Sequence, residues 1–190
     1  MRPAIIIVDM LKDTFHEEYQ LPITREARPI VPRVNHLLQR GRELGIPIIF
    51  ACDSFLPDDF IFKGKMKPHS LRGTDGSEVT DLLTVEEGDV MLPKRRFSAF
   101  FKTDLDQTLR TWHCDTVAVG GLTTNVCVLM TAMDALSHDF CTILLEDCCA
   151  AHKREVHETT IENYRKFALY PLFRIMMAED FLREIEKQKK

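Results

Sequence analysis

Short runs of consecutive apolar residues alternate along the chain with stretches in which apolar residues recur every three or four positions. The runs cover residues 4–9, 46–53, 89–94, 115–121 and 141–147. Strands that are buried on both faces of a parallel sheet are apolar at successive positions, so each run predicts such a strand. A sixth strand is predicted at residues 173–176.

Helical spacing fills the intervals between these strands. Residues 31–44 predict an amphipathic helix that ends at Gly45. The other predicted helices cover residues 105–112, 124–136, 154–168 and 178–190. Strands and helices that alternate in this order predict one α/β domain over residues 1–190, with a three-layer α-β-α arrangement and a doubly wound, six-stranded, mainly parallel sheet.

Composition excludes several classes of function. The chain has 190 residues, of which 45% are hydrophobic and 28% charged, and this balance is typical of a globular domain with a sizeable core. The net charge is -4 and the positive residues are scattered, so nucleic acid is not an expected partner. The apolar run at residues 4–8 is too short to span a membrane. We therefore expect a soluble, unprocessed protein without a membrane partner.

The six cysteines are predicted to be reduced thiols in a cytoplasmic protein. They stand at positions 52, 114, 127, 141, 148 and 149. No C-x-x-C pair occurs, and the adjacent Cys148 and Cys149 lack a matching pair or histidine cluster, so a structural zinc site is not expected.

Ionisable or reactive residues follow four of the predicted strands. Asp9 closes the first, Asp53 the second and Lys94 the third, while the segment GGLTTNVC at residues 120–127 follows the fourth. Ligands of open parallel sheets bind beyond the carboxyl ends of the strands, where these residues would meet. Each has an ordinary structural interpretation when taken alone: a cap or turn for an aspartate, a solvated charge for the lysine, a small core residue for Cys127.

Together, Asp9, Lys94 and Cys127 supply the parts of nucleophilic catalysis by a thiol. Lys94 and the N-terminus of the following helix are expected to lower the pKa of the Cys127 thiol and to favour the thiolate. Asp9 can accept the thiol proton and return it to a departing amine. Backbone N–H groups at the start of the helix can stabilise a developing oxyanion.

Four segments resemble the isochorismatase-like cysteine hydrolases, a family that includes nicotinamidases and N-carbamoylsarcosine amidases. They are IIIVDM, KRRFSAF, GGLTTNVCV and LLEDCCAA, beginning at residues 5, 94, 120 and 144. The resemblance covers nearly the whole chain and implies a six-stranded parallel sheet with a catalytic triad of Asp9, Lys94 and Cys127. It also implies a cis peptide between Leu122 and Thr123, an oxyanion hole formed by the N–H groups of Thr123 and Cys127, and a homo-oligomer.

The chain departs from the nicotinamidases at the residues that hold their metal, an Asp-x-His pair and a later histidine. Asp53 and His69 occupy the first and last of these positions, but Phe55 replaces the central histidine. A phenyl ring cannot ligate a metal, so we expect no metal, and nicotinamide is disfavoured as the substrate. Phe55 and Phe15 are predicted to line the substrate pocket instead.

Two further groups of residues are the arginines beside Lys94 and four histidines. Arg95 and Arg96 have two interpretations of equal weight, as a clamp for a substrate carboxylate or as a solvated pair. His113, His138, His152 and His157 lack metal-ligand spacing and are predicted to lie on the surface.

The favoured function is that of a cysteine amidohydrolase without a cofactor. Because the resembling isochorismatases that cleave a vinyl ether lack the cysteine, Cys127 argues for hydrolysis of a C–N bond in a small carboxamide or N-carbamoyl compound, with a thioester intermediate and release of ammonia. Two alternatives stay open at this point: a catalytically silent binding or assembly module, and a redox-sensing thiol protein.

Overall fold

The computed structural model describes residues 1–16 and 21–189 and shows six strands in one sheet, each parallel to its neighbours. The strands are β1 (Pro3–Val8), β2 (Ile48–Asp53), β3 (Val90–Lys94), β4 (Thr116–Leu122), β5 (Cys141–Ala150) and β6 (Phe173–Met176). Their order across the sheet is β3-β2-β1-β4-β5-β6. The predicted α/β class and all six predicted strands are confirmed.

Helices cover both faces of the sheet. They are α1 (Lys12–Phe15), α2 (Pro22–Ala27), α3 (Val31–Glu43), α4 (Leu105–Thr111), α5 (Leu129–Ser137), α6 (Arg154–Arg165) and α7 (Ala178–Gln188). Buried side chains of α2, α3 and α7 form the core on one face, and those of α4, α5 and α6 form the core on the other. Within residues 1–16 and 21–189, no helix has the length and apolar character needed to cross a membrane.

Three local features differ from the sequence-based expectation. The predicted helix at 124–136 begins as a single π-helical turn, Thr124–Val128, and becomes α-helical only at Leu129. Strand β5 runs past residue 147 to Ala150, because a register shift against β4 after Val119 allows pairing to resume. The short helices α1 and α2 were not predicted, since four and six residues are too few to show a helical period.

The sheet register brings the carboxyl ends of four strands together. Val8 of β1 lies opposite Ala51 of β2 on one side and Gly121 of β4 on the other. Asp53 and Lys94 are paired at the ends of β2 and β3. The residues that close these strands therefore lie at one edge of the sheet, as the sequence predicts for a ligand site.

Gly121 allows β4 to approach β1 closely at this edge. Its φ is +109°, and an added Cβ would lie 2.1 Å from the carbonyl oxygen of Val8. We expect Gly121→Ala to lower the free energy of unfolding by about 3 kcal/mol or more, because strain and a backbone clash add. Urea denaturation measures this loss.

Gly88→Ala is the matched control. Gly88 has a φ of +103°, yet a Cβ there meets nothing within 4 Å. The free energy of unfolding of the Gly88→Ala variant should therefore fall by only about 1 kcal/mol, which is the cost of placing alanine at a positive φ. Equal losses at Gly121 and Gly88 would contradict the close approach of the two strands.

Candidate active site

Asp9 begins the site immediately after β1. Its φ is 51°, in the left-handed region that short polar side chains tolerate better than most, and its N–H donates to the carbonyl of Ala51 over 2.9 Å. One oxygen of the Asp9 carboxylate accepts a hydrogen bond from the backbone N–H of Asp53 over 2.8 Å. The ends of β1 and β2 are thus connected through this carboxylate.

Lys94 connects the two aspartates from β3. Its Nζ lies 2.8 Å from Oδ2 of Asp9 and 2.5 Å from Oδ1 of Asp53, and it donates a third bond of 3.2 Å to the carbonyl of Arg96. The Lys94 side chain is 0% exposed. Burial opposes its charge, but Asp9 and Asp53 outweigh that effect and raise the pKa of Lys94. The lysine is therefore a buried cation whose three hydrogens all have partners.

Cys127 completes the cluster from the turn that follows β4. Its Sγ and a carboxylate oxygen each of Asp9 and Asp53 all lie within 4.8 Å of one another. The Cys127 thiol therefore faces the Asp9 carboxylate at close range. The structure thus brings together Asp9, Lys94 and Cys127, three residues that lie far apart in the sequence.

The expected lowering of the thiol pKa is wrong for the free protein. Burial and the negative charge of Asp9 raise the pKa of Cys127 well above its usual value, while Lys94 acts in the opposite direction. Lys94 cannot lower the pKa of Cys127 overall, because both of its partners, Asp9 and Asp53, also lie close to the sulfur and raise that pKa. The resting cysteine is therefore a protonated thiol that faces a ready proton acceptor.

The turn that carries Cys127 has an unusual backbone. The peptide between Leu122 and Thr123 is cis, as the resemblance implies. The carbonyl of Thr123 accepts bonds from the N–H groups of Val126 and Val128 over 3.0 and 3.2 Å but, within the described chain, not from that of Cys127. Single π-helical turns of this kind are frequent at functional sites.

Asp53 is the carboxyl group of the cluster with the clearest shift. Burial and the nearby Asp9 raise its pKa from 3.8 to about 7, although Lys94 lowers it. The folded protein therefore keeps a proton on Asp53 between about pH 4 and pH 7, where the unfolded chain has lost it, and stability falls as the pH rises through that window.

This shift predicts the behaviour of Asp53→Asn, which keeps the shape of the side chain but cannot ionise. The free energy of unfolding of the variant should depend less steeply on pH between about 4 and 7 than that of wild type. Urea denaturation across this range measures the slope, and Asp58→Asn, at an exposed loop position, is the control. A slope identical to wild type would show that Asp53 is ionised throughout.

A cavity of about 1040 Å³ opens above the cluster. Its buried polar floor consists of Asp9, Asp53 and Cys127, and its apolar wall includes Leu11 and Phe55. The exposed lining residues form the rim: Leu21, Lys65, Met66, Lys67, Pro68 and His152. A space of this size and lining is typical of a small-molecule site.

The two predicted substrate-binding phenylalanines have different locations. Phe55 lines the cavity, whereas Phe15 is buried in the core on the α3 side and does not contribute to the cavity lining. A role for Phe55 in substrate binding is compatible with its position. A role for Phe15 stays a prediction that its location does not support.

The residues at the metal positions of the nicotinamidases do not fit a metal here. Asp53 is bonded to Lys94, and the Phe55 ring packs edge-on against His69 with centroids 5.5 Å apart. Nδ1 of His69 lies 2.8 Å from the carbonyl oxygen of Lys67. The Cys127 thiol and the Asp9 and Asp53 carboxyl groups lie around the ammonium of Lys94. Its positive charge repels a metal cation from this cluster.

Arg95 and Arg96 lie outside the cavity lining, and both form ion pairs with one aspartate. Both contact the buried carboxylate of Asp59, at 2.5 Å from Arg95 and 3.3 Å from Arg96. Asp59 also accepts the N–H of Leu56 over 2.8 Å. The two arginines therefore anchor the loop after β2.

Two of the four histidines predicted to lie on the surface are partly buried instead. His157 is half-buried, and its Nδ1 lies 2.8 Å from the hydroxyl of Thr124 in the turn that carries Cys127. His138 stacks on Phe100. His152 is exposed, as predicted. It also lies on the rim of the cavity, which the sequence did not indicate.

The fold and this cluster define a class of protein: an α/β protein with a buried thiol, two carboxyl groups and an ammonium at the carboxyl ends of parallel strands. Residues 3–173 match the Isochorismatase domain family, and the chain belongs to this family. The resemblance stated from the sequence is confirmed. The relatives of this chain include proteins named as an amidohydrolase and an amidase, which are hydrolases of carbon–nitrogen bonds other than peptide bonds.

Three relatives illustrate the similarity. A probable inactive nicotinamidase of Arabidopsis thaliana is 31% identical over 83% of this chain and 85% of its own length. Maleamate amidohydrolase of Pseudomonas putida is 25% identical over 84% and 78%. The crystal structure of N-carbamoylsarcosine amidase from Thermoplasma acidophilum is 32% identical, with a TM-score of 0.81 over 94% of this chain and 98% of that chain.

Proposed function

We propose that the protein is a cysteine amidohydrolase that cleaves a small carboxamide or N-carbamoyl compound through a thioester on Cys127. The observation that carries the proposal is the buried Cys127 thiol, whose sulfur lies within 4.8 Å of an Asp9 carboxylate oxygen on the floor of a ligand-sized cavity. A thiol that only packs has no need of a carboxylate acceptor. A thiol that attacks a carbonyl does.

Asp9 accepts the thiol proton as the sulfur attacks the substrate carbonyl and forms the C–S bond. Because the resting thiol is protonated, proton transfer and attack occur together. The N–H groups of Thr123 and Cys127 stabilise the oxyanion of the tetrahedral intermediate. The intermediate collapses, the C–N bond breaks, and Asp9 transfers its proton to the departing nitrogen, which leaves as ammonia.

Water then hydrolyses the thioester. Asp9, again a carboxylate, accepts a proton from the water as its oxygen attacks the acyl carbon. The second tetrahedral intermediate expels the sulfur, and Asp9 returns the proton to it, so that the carboxylic acid leaves and the resting thiol is restored. Each cycle consumes one water and one amide and yields one acid and one ammonia.

Lys94 holds the Asp9 carboxyl group in place through these steps. Its ammonium is 2.8 Å from the Asp9 carboxylate and is itself held by Asp53. This charge-assisted contact fixes the orientation of the Asp9 carboxylate that accepts the proton. Asp53 also contacts the Lys94 ammonium and helps to position it.

The names of the relatives support the substrate class. Maleamate amidohydrolase and N-carbamoylsarcosine amidase are named for an amide and an N-carbamoyl compound. The Arabidopsis relative is named as inactive, which keeps the silent binding module as the alternative to be tested.

Ammonia release across a panel of small amides and N-carbamoyl compounds tests the proposal. The panel includes nicotinamide, N-carbamoyl amino acids and ureido acids, each assayed with wild type and with Cys127→Ala. Turnover that is absent in the variant supports the amidohydrolase. The binding module would be favoured if neither protein released ammonia and if iodoacetamide alkylated Cys127 no faster than the exposed Cys141.

A further inference from the structure

A buried hydroxyl group belongs to the turn that carries Cys127. Thr124 is the first residue of this turn, and it is 0% exposed. Its Oγ1 lies 2.8 Å from Nδ1 of His157 on α6. Within residues 1–16 and 21–189, this ring nitrogen is the one hydrogen-bond partner of that hydroxyl. A buried hydroxyl that loses its partner costs free energy, so the contact holds Thr124 in place.

The other polar groups of the turn do not provide an equivalent contact. The N–H groups of Val126 and Val128 donate to the carbonyl of Thr123, so these bonds stay within the segment. The Oδ1 atom of Asn125 is buried and has no hydrogen-bond partner in the described part of the chain. The bond between the Thr124 hydroxyl and the histidine of α6 therefore connects the turn to a separate element of the fold.

Helix α6 provides a fixed support for this bond. Ile161 lies one turn after His157 and thus on the same face of the helix. It is buried in the same core as Cys127 and Val128. The imidazole ring is therefore carried by a helix that packs on the core beneath the turn, and its position determines where the Thr124 hydroxyl can bond.

His157 has no direct contact with the place of reaction. It is not among the described residues that line the cavity. Burial lowers the pKa of His157 below its usual value, so the ring is uncharged at pH 7. A neutral ring nitrogen can share a hydrogen bond with a hydroxyl, but it brings no charge to the cluster. An effect of His157 on the reaction therefore passes through Thr124.

We propose that His157 is a positioning residue for the nucleophile. Its bond to the Thr124 hydroxyl fixes the turn, and the fixed turn holds the Cys127 sulfur near the Asp9 carboxylate. The inference rests on the proposed amidohydrolase function and adds helix α6 to the elements that support it.

Replacement of His157 by leucine and by asparagine tests the inference. Leucine removes the hydrogen bond, whereas the amide of asparagine places a polar atom where Nδ1 lies. On the best substrate of the ammonia panel, we expect kcat of His157→Leu to fall by about tenfold or more, because a displaced nucleophile attacks slowly. KM should change by less than about threefold, since the cavity lining is untouched. His157→Asn should keep kcat within about threefold of wild type.

Thr124→Val tests the other end of the bond. Valine keeps the shape of threonine but lacks the hydroxyl, so kcat should fall by a factor similar to that of His157→Leu. The double variant Thr124→Val/His157→Leu should be no slower than either single variant, because the same bond is lost in all three. Losses that multiply in the double variant would contradict an action of His157 through Thr124.

His138→Leu is the matched control. His138 is also partly buried, and its Nδ1 lies 2.8 Å from the carbonyl oxygen of Asp134, but it is not among the described residues of the cavity lining. Its replacement should leave kcat unchanged. The inference is overturned if His157→Leu keeps the wild-type kcat, if only KM changes, or if His157→Asn is as slow as His157→Leu. In each of these cases, turnover that depends on Cys127 would leave the proposed function intact.

Alkylation decides the inference if no amide of the panel is hydrolysed. The rate at which iodoacetamide modifies Cys127 is measured by peptide mapping in wild type, His157→Leu and His157→Asn, with the exposed Cys141 as the internal reference. A rate that falls by about tenfold in His157→Leu and returns in His157→Asn supports the inference even though the proposed function has failed, since the thiol needs its place beside Asp9 to lose its proton. A rate that is unchanged or higher in His157→Leu, or equally low in both variants, overturns it.

Discussion

The Cys127→Ser variant is expected to release ammonia at least about 10⁴-fold more slowly than wild type while it keeps its fold. Serine replaces only the sulfur atom, so packing around the turn changes little. The hydroxyl is a far weaker nucleophile than the thiol, and loss of the nucleophile in comparable sites removes most of the rate enhancement. Steady-state ammonia release on the best substrate of the panel measures the effect.

Cys141→Ser is the control for this prediction. Cys141 is an exposed thiol at the start of β5, remote from the cavity lining. The activity of the Cys141→Ser variant should equal that of wild type. A Cys127→Ser variant that retained activity within about tenfold would show that the sulfur is not the nucleophile.

Lys94→Met is expected to damage both stability and activity. Removal of the ammonium leaves Asp9 and Asp53 buried beside each other without a cation. Breaking a buried ion pair from one side costs about 3 to 5 kcal/mol, so the free energy of unfolding should fall by that amount. Activity should fall by at least about 10³-fold, because the Asp9 carboxylate loses the contact that holds it in position to accept the thiol proton. Urea denaturation and ammonia release measure the two losses.

The double variant Lys94→Met/Asp53→Asn separates these two effects. Asp53→Asn removes one of the uncompensated carboxylates and should restore part of the stability that Lys94→Met loses, while activity stays low. Stability losses that simply add would contradict a shared network of Lys94, Asp9 and Asp53.

The sheet and the triad cluster are predictable from the sequence because both depend on local patterns. The apolar runs mark strands buried on both faces, and parallel pairing places Asp9, Asp53 and Lys94 at one edge wherever the loops run. The same reasoning places the segment of Cys127 beside them. The sequence alone therefore predicts which reactive side chains meet at the ends of the strands.

The electrostatics of the cluster are not predictable in this way. Whether the pKa of Cys127 falls or rises depends on its burial and on how many carboxylates share the lysine. The sequence suggested Asp53 as a position related to a metal site, but not as the second partner of Lys94. Such assignments need distances, which the pattern of residues does not contain.

The sequence also does not predict which residues line the cavity. Lys65 and Lys67 belong to the long irregular stretch after β2, where no period fixes the direction of a side chain. Phe15 shows the opposite case, because a lone aromatic near a predicted site packs into the core instead. Contacts such as that between Ser70 and Asp13 determine the path of the loop.

The most direct test of the central claim is detection of an acyl group on Cys127 during turnover. A p-nitrophenyl ester of the best substrate acid acylates quickly, so hydrolysis of the thioester becomes slow by comparison and the adduct accumulates. Acid quenching and intact-mass measurement, followed by peptide mapping, should find one acyl group, located on Cys127 and removed by hydroxylamine. Continued turnover with no adduct, or with the adduct on another residue, would contradict the mechanism.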